Sequence, residues 1–411
     1  MRDEQLADIA ARVGTPVYVY DADAIRGRYR DLTGALARAG LRAQVHYSVK
    51  ANSTLAVLAL FRSLGAGADI VSAGELARVC AAGFDPADVV FSGVGKTAAE
   101  LEAALRAGVG LINIESAAEA ELLGCLAARL KLTARVGIRV NPDVTTTTHP
   151  YTQTGEKGMK FGVPIDEALT VARRVHATQG LELRSIGMHI GSQIESAAPY
   201  ASGAAKLAEL VAAVRDAGIG TLASVDVGGG LGIAYTGAEH PLDPAAFARA
   251  VAPLQAATGL LLLIEPGRFL VGNAGVLLAR VLYRKASGGR TILVTDAGMS
   301  DLLRPSLYRA EHPVRLLGAG PEAPTEIVDV VGPICETGDF LALDRALPCA
   351  PPGAVLAVGG AGAYGFVMSS QYNSRPRAAE VLVDGQRWGV ARARETLDDL
   401  MRGEQAEPPW R

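Results

Sequence analysis

The 411-residue chain has little of what would mark it as a stapled, metal-bound, membrane or nucleic-acid protein. It holds four cysteines and two tryptophans, and its 40 lysines and arginines nearly balance 43 aspartates and glutamates, for a formal charge of −3. Cys80, Cys125, Cys335 and Cys349 show no C-x-x-C spacing. That excludes a disulfide framework and a cysteine-ligated zinc, so no metal is expected. The near-neutral balance gives no electrostatic ground for a nucleic-acid partner or an anionic membrane surface. Apolar runs such as Leu260 to Ile264 are far too short to span a bilayer. The opening MRDEQLADIAARV is charged and amphipathic and reads as a short helix rather than a secretion signal. A soluble, cytoplasmic protein is the expectation.

Lysine is scarce as well: only Lys50, Lys96, Lys131, Lys157, Lys160, Lys206 and Lys285 occur, arginine carrying the other positive charges. Lys50 ends the apolar stretch VHYSVK. An alternating strand with this lysine toward water accounts for the stretch taken alone. Only an amine forms a Schiff base, however, so a lysine kept among apolar residues in an arginine-rich chain is also a candidate for chemistry.

What is present is a regular alternation. Eight short β-rich runs occur between Val45 and Gly267: VHYSVK, ADIVSAG, VVFSGV, LINIES, ARVGIRVN, SIGMHIG, SVDVGGG and LLLIEPG. Segments of helical period such as Thr97 to Ala107, Ser116 to Leu130, Ile165 to Thr178 and Ala198 to Ala217 separate most of them. Eight strand and helix units over this span predict an α/β fold, a (β/α)8 TIM-like barrel over 22–271. After Gly272 the texture changes to alternating strands and turns: VLLARVLYRK, RTILVTDAG, TEIVDVVGPI, AVLAVGGAGAY and AAEVLVDGQRWGVARA. These predict a second, all-β C-terminal domain over 272–411, joined by the early strand VYVYD within 1–21. The long polar stretch Val144 to Gly162 reads as a mobile flap.

In such a barrel the chemistry lies at the C-terminal ends of the strands. Those ends supply Lys50, Asp69, Ser72, Ser92, Glu115, Arg139, Asn141, His189, Gly228 to Gly230 and Glu265 to Arg268. DVGGGLG after the seventh run and EPGR after the eighth stand where barrels hold a phosphate, although three glycines also make a plain tight turn. A lysine facing a phosphate site suggests a Schiff-base aldolase or a pyridoxal phosphate enzyme. Glu265 favours the second, because a carboxylate beside a phosphate needs a cation such as a protonated pyridine nitrogen. His189 fits against a cofactor ring, and equally fits a hydrogen-bonded core histidine when taken singly.

The ordered segments HYSVKAN, HIGSQ, VDVGGGLG, EPGR, GPICETGD and GAYGFVMSSQYNSRPR resemble the pyridoxal-phosphate-dependent decarboxylases of the alanine racemase fold, and within them the diaminopimelate-acting branch. The resemblance runs from about Gly14 to Arg377. It implies pyridoxal 5'-phosphate held by Lys50, with His189 against the ring and Glu265 on the pyridine nitrogen. It further implies a phosphate bound by Ser192, Gly230, Gly267 and Tyr364, with Arg268 at the same site. Arg268, Arg304, Tyr308 and Tyr364 would then meet the substrate, Glu336 its distal ammonium, and Cys335 would deliver a proton to Cα. The implied reaction converts meso-2,6-diaminopimelate to L-lysine and carbon dioxide in a homodimer whose sites are shared between subunits. Thr337 and Gln371 depart from the family's usual Ser and Asn.

Three alternatives remain at this level. A decarboxylase of ornithine or lysine would keep Lys50, His189 and Glu265 and alter the distal contacts. An amino-acid racemase would want a tyrosine base in place of the CETGD segment. A non-enzymatic binding protein for the same cofactor would normally lack the long extension after Gly272.

Overall fold

The computed structural model describes residues 1–144, 160–236, 241–320, 322–408 and 410. The chain divides into two compact units, Ala24–Val271 and a second unit made of Met1–Asp23 with Gly272–Arg411. The predicted flap lies, over 145–159, outside the described residues. After β1 (Val17–Asp21), which belongs to the second unit, the chain enters the barrel strands β2 (Ala43–Ser48), β3 (Gly67–Ile70), β4 (Val89–Phe91), β5 (Leu111–Ile114) and β6 (Ala134–Asn141). A two-residue strand β7 (Val163–Pro164) pairs with the end of β6. Then follow β8 (Leu181–Met188), β9 (Ser224–Asp226) and β10 (Leu261–Ile264).

All barrel pairings are parallel, and the ring closes because β10 pairs with β2 while β5 pairs with β6. Strands in such a ring are covered on both faces, which is why they read in sequence as short, nearly continuous apolar runs. Local chemistry explains the sharp turn from strand to helix. Ser72, Thr97 and Ser116 each follow a strand and accept a hydrogen bond from the backbone N–H three residues on, that of Glu75, Glu100 and Glu119. The three glutamates then fold back: Glu75 accepts from the Val71 amide, Glu100 from the Thr97 amide and Glu119 from the Glu115 amide. The recurring S/T-A-x-E pattern is a capping signal, and here it also fixes the loops that form the barrel rim.

One buried cation organises that rim between β4 and β5. Lys96 Nζ donates to the carbonyls of Gly93 at 2.7 Å and Asn113 at 2.6 Å and to Glu119 Oε1 at 2.6 Å. Its side chain is only 1% exposed.

In the second unit β1 is internal, antiparallel to β11 (Gly275–Ser287) and parallel to β17 (Ala379–Asp384). The sheet continues outward through β12 (Arg290–Thr295), β14 (Thr325–Val331) and β15 (Phe340–Pro348) on one side and β18 (Arg387–Arg392) on the other. A side branch joins β13 (Val314–Leu316) to β16 (Val355–Val358). Leu6, Ile9 and Ala10 of the N-terminal helix α1 (Asp3–Val13) pack with Val17, Val19, Leu278, Val381 and Val383. Beyond its strands this unit carries the short helices Arg304–Tyr308 and Leu397–Leu400. The strand reading had omitted β13 and β15.

Replacing Lys96 with Met leaves Glu119 buried without its cation. Removing one partner of a buried pair is expected to cost about 3–5 kcal/mol, read as a lower urea midpoint in equilibrium unfolding of the barrel unit within the full chain. An unchanged midpoint contradicts this role.

Candidate active site

The C-terminal mouth of the barrel holds a cavity of about 440 Å³ lined by Lys50, Ser92, Arg139, His189, Asp226 and Glu265 among others. Lys50 does not lie on the strand: β2 ends at Ser48, and a 3₁₀ turn (Val49–Ala51) carries the lysine one step beyond the rim. That turn aims the amine at Asp69, the last polar residue of β3. Lys50 Nζ donates to Asp69 Oδ2 at 2.9 Å, and Ser48 Oγ donates to the same oxygen at 2.6 Å. Asp69 is fully buried and the lysine side chain 35% exposed, so the amine is tethered yet reachable from the cavity.

His189 stands just past β8. Its Nδ1 accepts the Gly229 amide proton at 3.2 Å, which puts the ring proton of a neutral imidazole on Nε2. Burial pushes its pKa well below the ordinary value, and the nearby cations Arg139 and Lys50 push the same way. The ring is therefore neutral and flat-sided.

Glu265 closes β10. Its Oε1 lies 3.5 Å from Ser92 Oγ, which in turn accepts from Asn113 Nδ2. Burial pushes its pKa well above the usual carboxylate range; neighbouring Asp226 and Asp69 add to the rise and Lys50 opposes it. Asp226, which accepts from the Gly228 amide at 2.8 Å, is raised too, chiefly by burial. Two carboxyls in one dry pocket hold a proton between them unless a cation arrives.

The glycine loops meet beside this cavity. Gly230 has a φ of +93°, and a Cβ there would come within 2.2 Å of the Gly191 carbonyl. A Cβ on Gly229 would come within 2.0 Å of the Glu265 carbonyl oxygen. Only glycine allows this approach. Ile194 N–H donates to Gly230 O, and Gly232 N–H donates to Ile194 O, which brings Ser192 alongside Gly230. Arg268 is buried and donates to Ser192 Oγ at 3.0 Å and to the Tyr235 hydroxyl at 2.5 Å. Gly267 packs against Ala51 and Ser48. Ser192, Gly230, Gly267 and Arg268 thus form a cluster adjoining the cavity rather than lining it.

The remaining predicted residues belong to the second unit. Arg304 is buried at the start of its helix, and Tyr308 is half-buried at the end of it. Ser306 Oγ donates to Gly338 O at 2.6 Å, tying this helix to the turn that bears Cys335 and Glu336. Both of those residues are exposed, and Glu336 Oε2 accepts from the Tyr372 hydroxyl at 3.1 Å. Tyr364 is half-buried with a φ of +55°.

Several organising residues had no assigned role in the sequence reading. Asp69, on the rim, tethers Lys50. Arg139 lies 3.1 Å from Glu115 Oε1 and 4.9 Å from the Phe161 ring centroid. Asp339 accepts from the amides of Met299 and Ile334, both at 2.6 Å, and so shapes the Cys335 turn. Their only sequence signal was position at a strand end or inside a turn. Among the described residues no cluster of three or more potential metal ligands occurs, and no helix is long and apolar enough to cross a membrane.

Comparison with known proteins places these features. The family described as "Pyridoxal-dependent decarboxylase, pyridoxal binding domain" matches residues 22–272. Diaminopimelate decarboxylase of Pseudomonas aeruginosa is 49% identical over 98% of this chain and 96% of its own. The enzyme of that name from Neisseria meningitidis is 47% identical over 97% of each. The crystal structure of diaminopimelate decarboxylase from Helicobacter pylori complexed with L-lysine superposes with a TM-score of 0.92 at 38% identity, covering 97% of this chain and 98% of that one. With the full-length identity and the barrel-rim geometry in agreement, the chain belongs to the diaminopimelate decarboxylase family of pyridoxal-dependent decarboxylases.

Proposed function

We propose that the chain converts meso-2,6-diaminopimelate to L-lysine and carbon dioxide with pyridoxal 5'-phosphate, in the cytoplasm, as a homodimer with shared sites. The reading is carried by one cavity holding Lys50, His189 and Glu265 in a chain 49% identical to a decarboxylase of that name. The residues fit the cofactor. Burial raises the pKa values of the carboxyl pair Glu265 and Asp226, and a protonated ring nitrogen beside them would be held by that pair, while Arg268 and the Ser192 hydroxyl beside the glycine loops suit a phosphate.

Bound pyridoxal phosphate supplies the electron sink for the pair released when the bond between Cα and the carboxylate breaks. Lys50, tethered by Asp69, offers the amine that holds the cofactor covalently. Glu265 keeps the proton on the ring nitrogen, and neutral His189 presents a flat face to the ring. Ser192, Gly230, Gly267 and Tyr364 hold the phosphate, while Arg268 orders Ser192. At the distal end of the substrate, Arg268, Arg304, Tyr308 and Tyr364 bind, the guanidinium forks suiting a carboxylate. Glu336 meets the distal ammonium, and Cys335 delivers the proton to Cα.

Borohydride treatment of the yellow holoprotein is expected to fix the cofactor to the Lys50 peptide on mass mapping, and label on any other lysine refutes the assignment. A second outcome follows from the carboxyl pair. A carboxyl with a raised folded-state pKa costs stability as pH climbs from its ordinary value through the raised one, because the unfolded chain loses that proton first. Cofactor-free Glu265→Gln should therefore be at least as stable as the parent at pH 8, yet bind the cofactor more weakly. Lower stability at pH 8 with undiminished binding contradicts both parts.

The shared site is tested by mixing inactive Lys50→Ala and Cys335→Ala subunits. One site of each heterodimer carries both defects and the other neither, so random exchange restores up to about a quarter of parental activity. No recovery after verified exchange rejects the shared site.

A further inference from the structure

In the second unit the guanidinium of Arg304 meets an imidazole. Arg304 Nη1 lies 3.2 Å from His312 Nε2, and His312 Nδ1 lies 2.8 Å from the carbonyl oxygen of Gly359. Both side chains are buried, His312 to 1% exposure. The chemistry of the three groups fixes where the protons are. A guanidinium has donors only, so Nε2 must accept. A carbonyl oxygen accepts only, so Nδ1 must donate. His312 is therefore the neutral Nδ1–H tautomer, with no freedom to rotate or exchange tautomers without breaking a bond.

The far end of this relay is rigid. Gly359 follows β16, and Pro313 precedes β13; the two strands pair with Val314 opposite Val358. Gly359 N–H also donates to Pro313 O at 2.7 Å, and a Cβ on Gly359 would come within 2.8 Å of the Pro313 ring. The imidazole thus hangs between a β-ladder and the first residue of the helix Arg304–Tyr308. The carbonyl of Arg304 accepts from the amide of Arg309, in left-handed conformation at φ +53°, closing that helix after five residues. A helix so short has little rigidity of its own, so its direction and that of its leading side chain depend on tertiary contacts.

We propose that His312 is a positioning residue for Arg304: by accepting from one guanidinium nitrogen and donating to the Gly359 carbonyl, it sets the plane in which Arg304 presents its remaining donors to the substrate's distal carboxylate. A bidentate pair requires the guanidinium plane to coincide with that of the carboxylate, so orientation is part of recognition. The inference rests on the reading above that Arg304 binds this carboxylate.

Four variants and one ligand separate the outcomes. His312→Asn keeps a donor toward Gly359 and loses the acceptor for Arg304. His312→Gln places an acceptor near the Nε2 position and loses the donor. His312→Phe removes both, and Arg304→Gln tests the underlying reading. The ligand is 1,5-diaminopentane, which lacks the distal carboxylate that L-lysine retains, used as a competitive inhibitor. His312→Asn and His312→Phe are expected to raise KM for meso-diaminopimelate about tenfold or more, the size of a lost hydrogen bond to a charged group. Their kcat stays within about threefold, Ki for 1,5-diaminopentane is unchanged, and His312→Gln recovers part of the loss. If Arg304→Gln raises KM and the His312 variants do not, His312 has no positioning role. If Ki for 1,5-diaminopentane rises together with KM, the histidine is only structural and the proposal fails. If Arg304→Gln itself leaves KM unchanged, the carboxylate reading of Arg304 falls and this inference falls with it. Should the Phe variant not fold, the contrast between Asn and Gln still decides.

Discussion

A closed parallel barrel spends its backbone hydrogen bonds on its own ring and covers both faces of every strand, so polar side chains at its mouth must compensate one another. The rim is built on this constraint. Lys50 meets Asp69, Lys96 meets Glu119, and Arg139 meets Glu115. Pairs of this kind add little net stability, because desolvation offsets the attraction, but they fix the direction of each charge. Among these rim groups Glu265 and Asp226 break the pattern by facing each other, both with pKa values raised by burial. Among the described residues Lys50 opposes the rise at Glu265 and Arg139 that at Asp226 without cancelling either, and a heteroaromatic nitrogen with its proton is a flat cation suited to such a pair.

The neighbouring polar groups follow from the same constraint. His189 accepts from the Gly229 amide, which settles its tautomer, while Arg139 and Lys50 work against its charging. Under the proposed reading, a second cation beside the cofactor ring would compete with the proton that Glu265 holds there. The glycine loop serves both demands. Its Gly228 and Gly229 amides serve Asp226 and His189, its backbone packs against the Glu265 and Gly191 carbonyls, and Arg268 holds Ser192 nearby through a 3.0 Å bond.

Most of the barrel was legible in the sequence because parallel strands covered on both faces are short apolar runs, each ended here by a Ser or Thr cap and a glutamate. Lys50, His189 and Glu265 were legible for a positional reason: barrel chemistry gathers at strand ends. The pairings were not. Lys50 and Asp69 are 19 residues apart and Arg139 and Glu115 are 24 apart, and a contact between neighbouring strands leaves no periodic trace. The strand β15 was missed because its pairing with β14 shifts register between Val328 and Val331 and Asp344 adopts a φ of +51°. Such an irregular, half-exposed edge strand shows no clean alternation. His312 had no motif to mark it, since its meaning depends on a carbonyl 47 residues away.

Under the proposed reading, the second unit has the harder recognition task. The two ends of diaminopimelate carry the same groups, and the distal end must be bound without being broken. That needs a cation and an anion at a fixed separation, yet an exposed carboxylate such as Glu336 gains little from a charged partner in water unless its position is already set. The structure supplies that setting through hydrogen bonds from uncharged donors rather than ion pairs. Ser306 joins the Arg304 helix to Gly338, Asp339 collects the Met299 and Ile334 amides, and Tyr372 holds Glu336. Each bond takes conformational freedom from the unbound site, so less is lost when the substrate arrives. Discrimination between amino acids of different length would then lie in the rigidity of this frame as much as in the charges it carries.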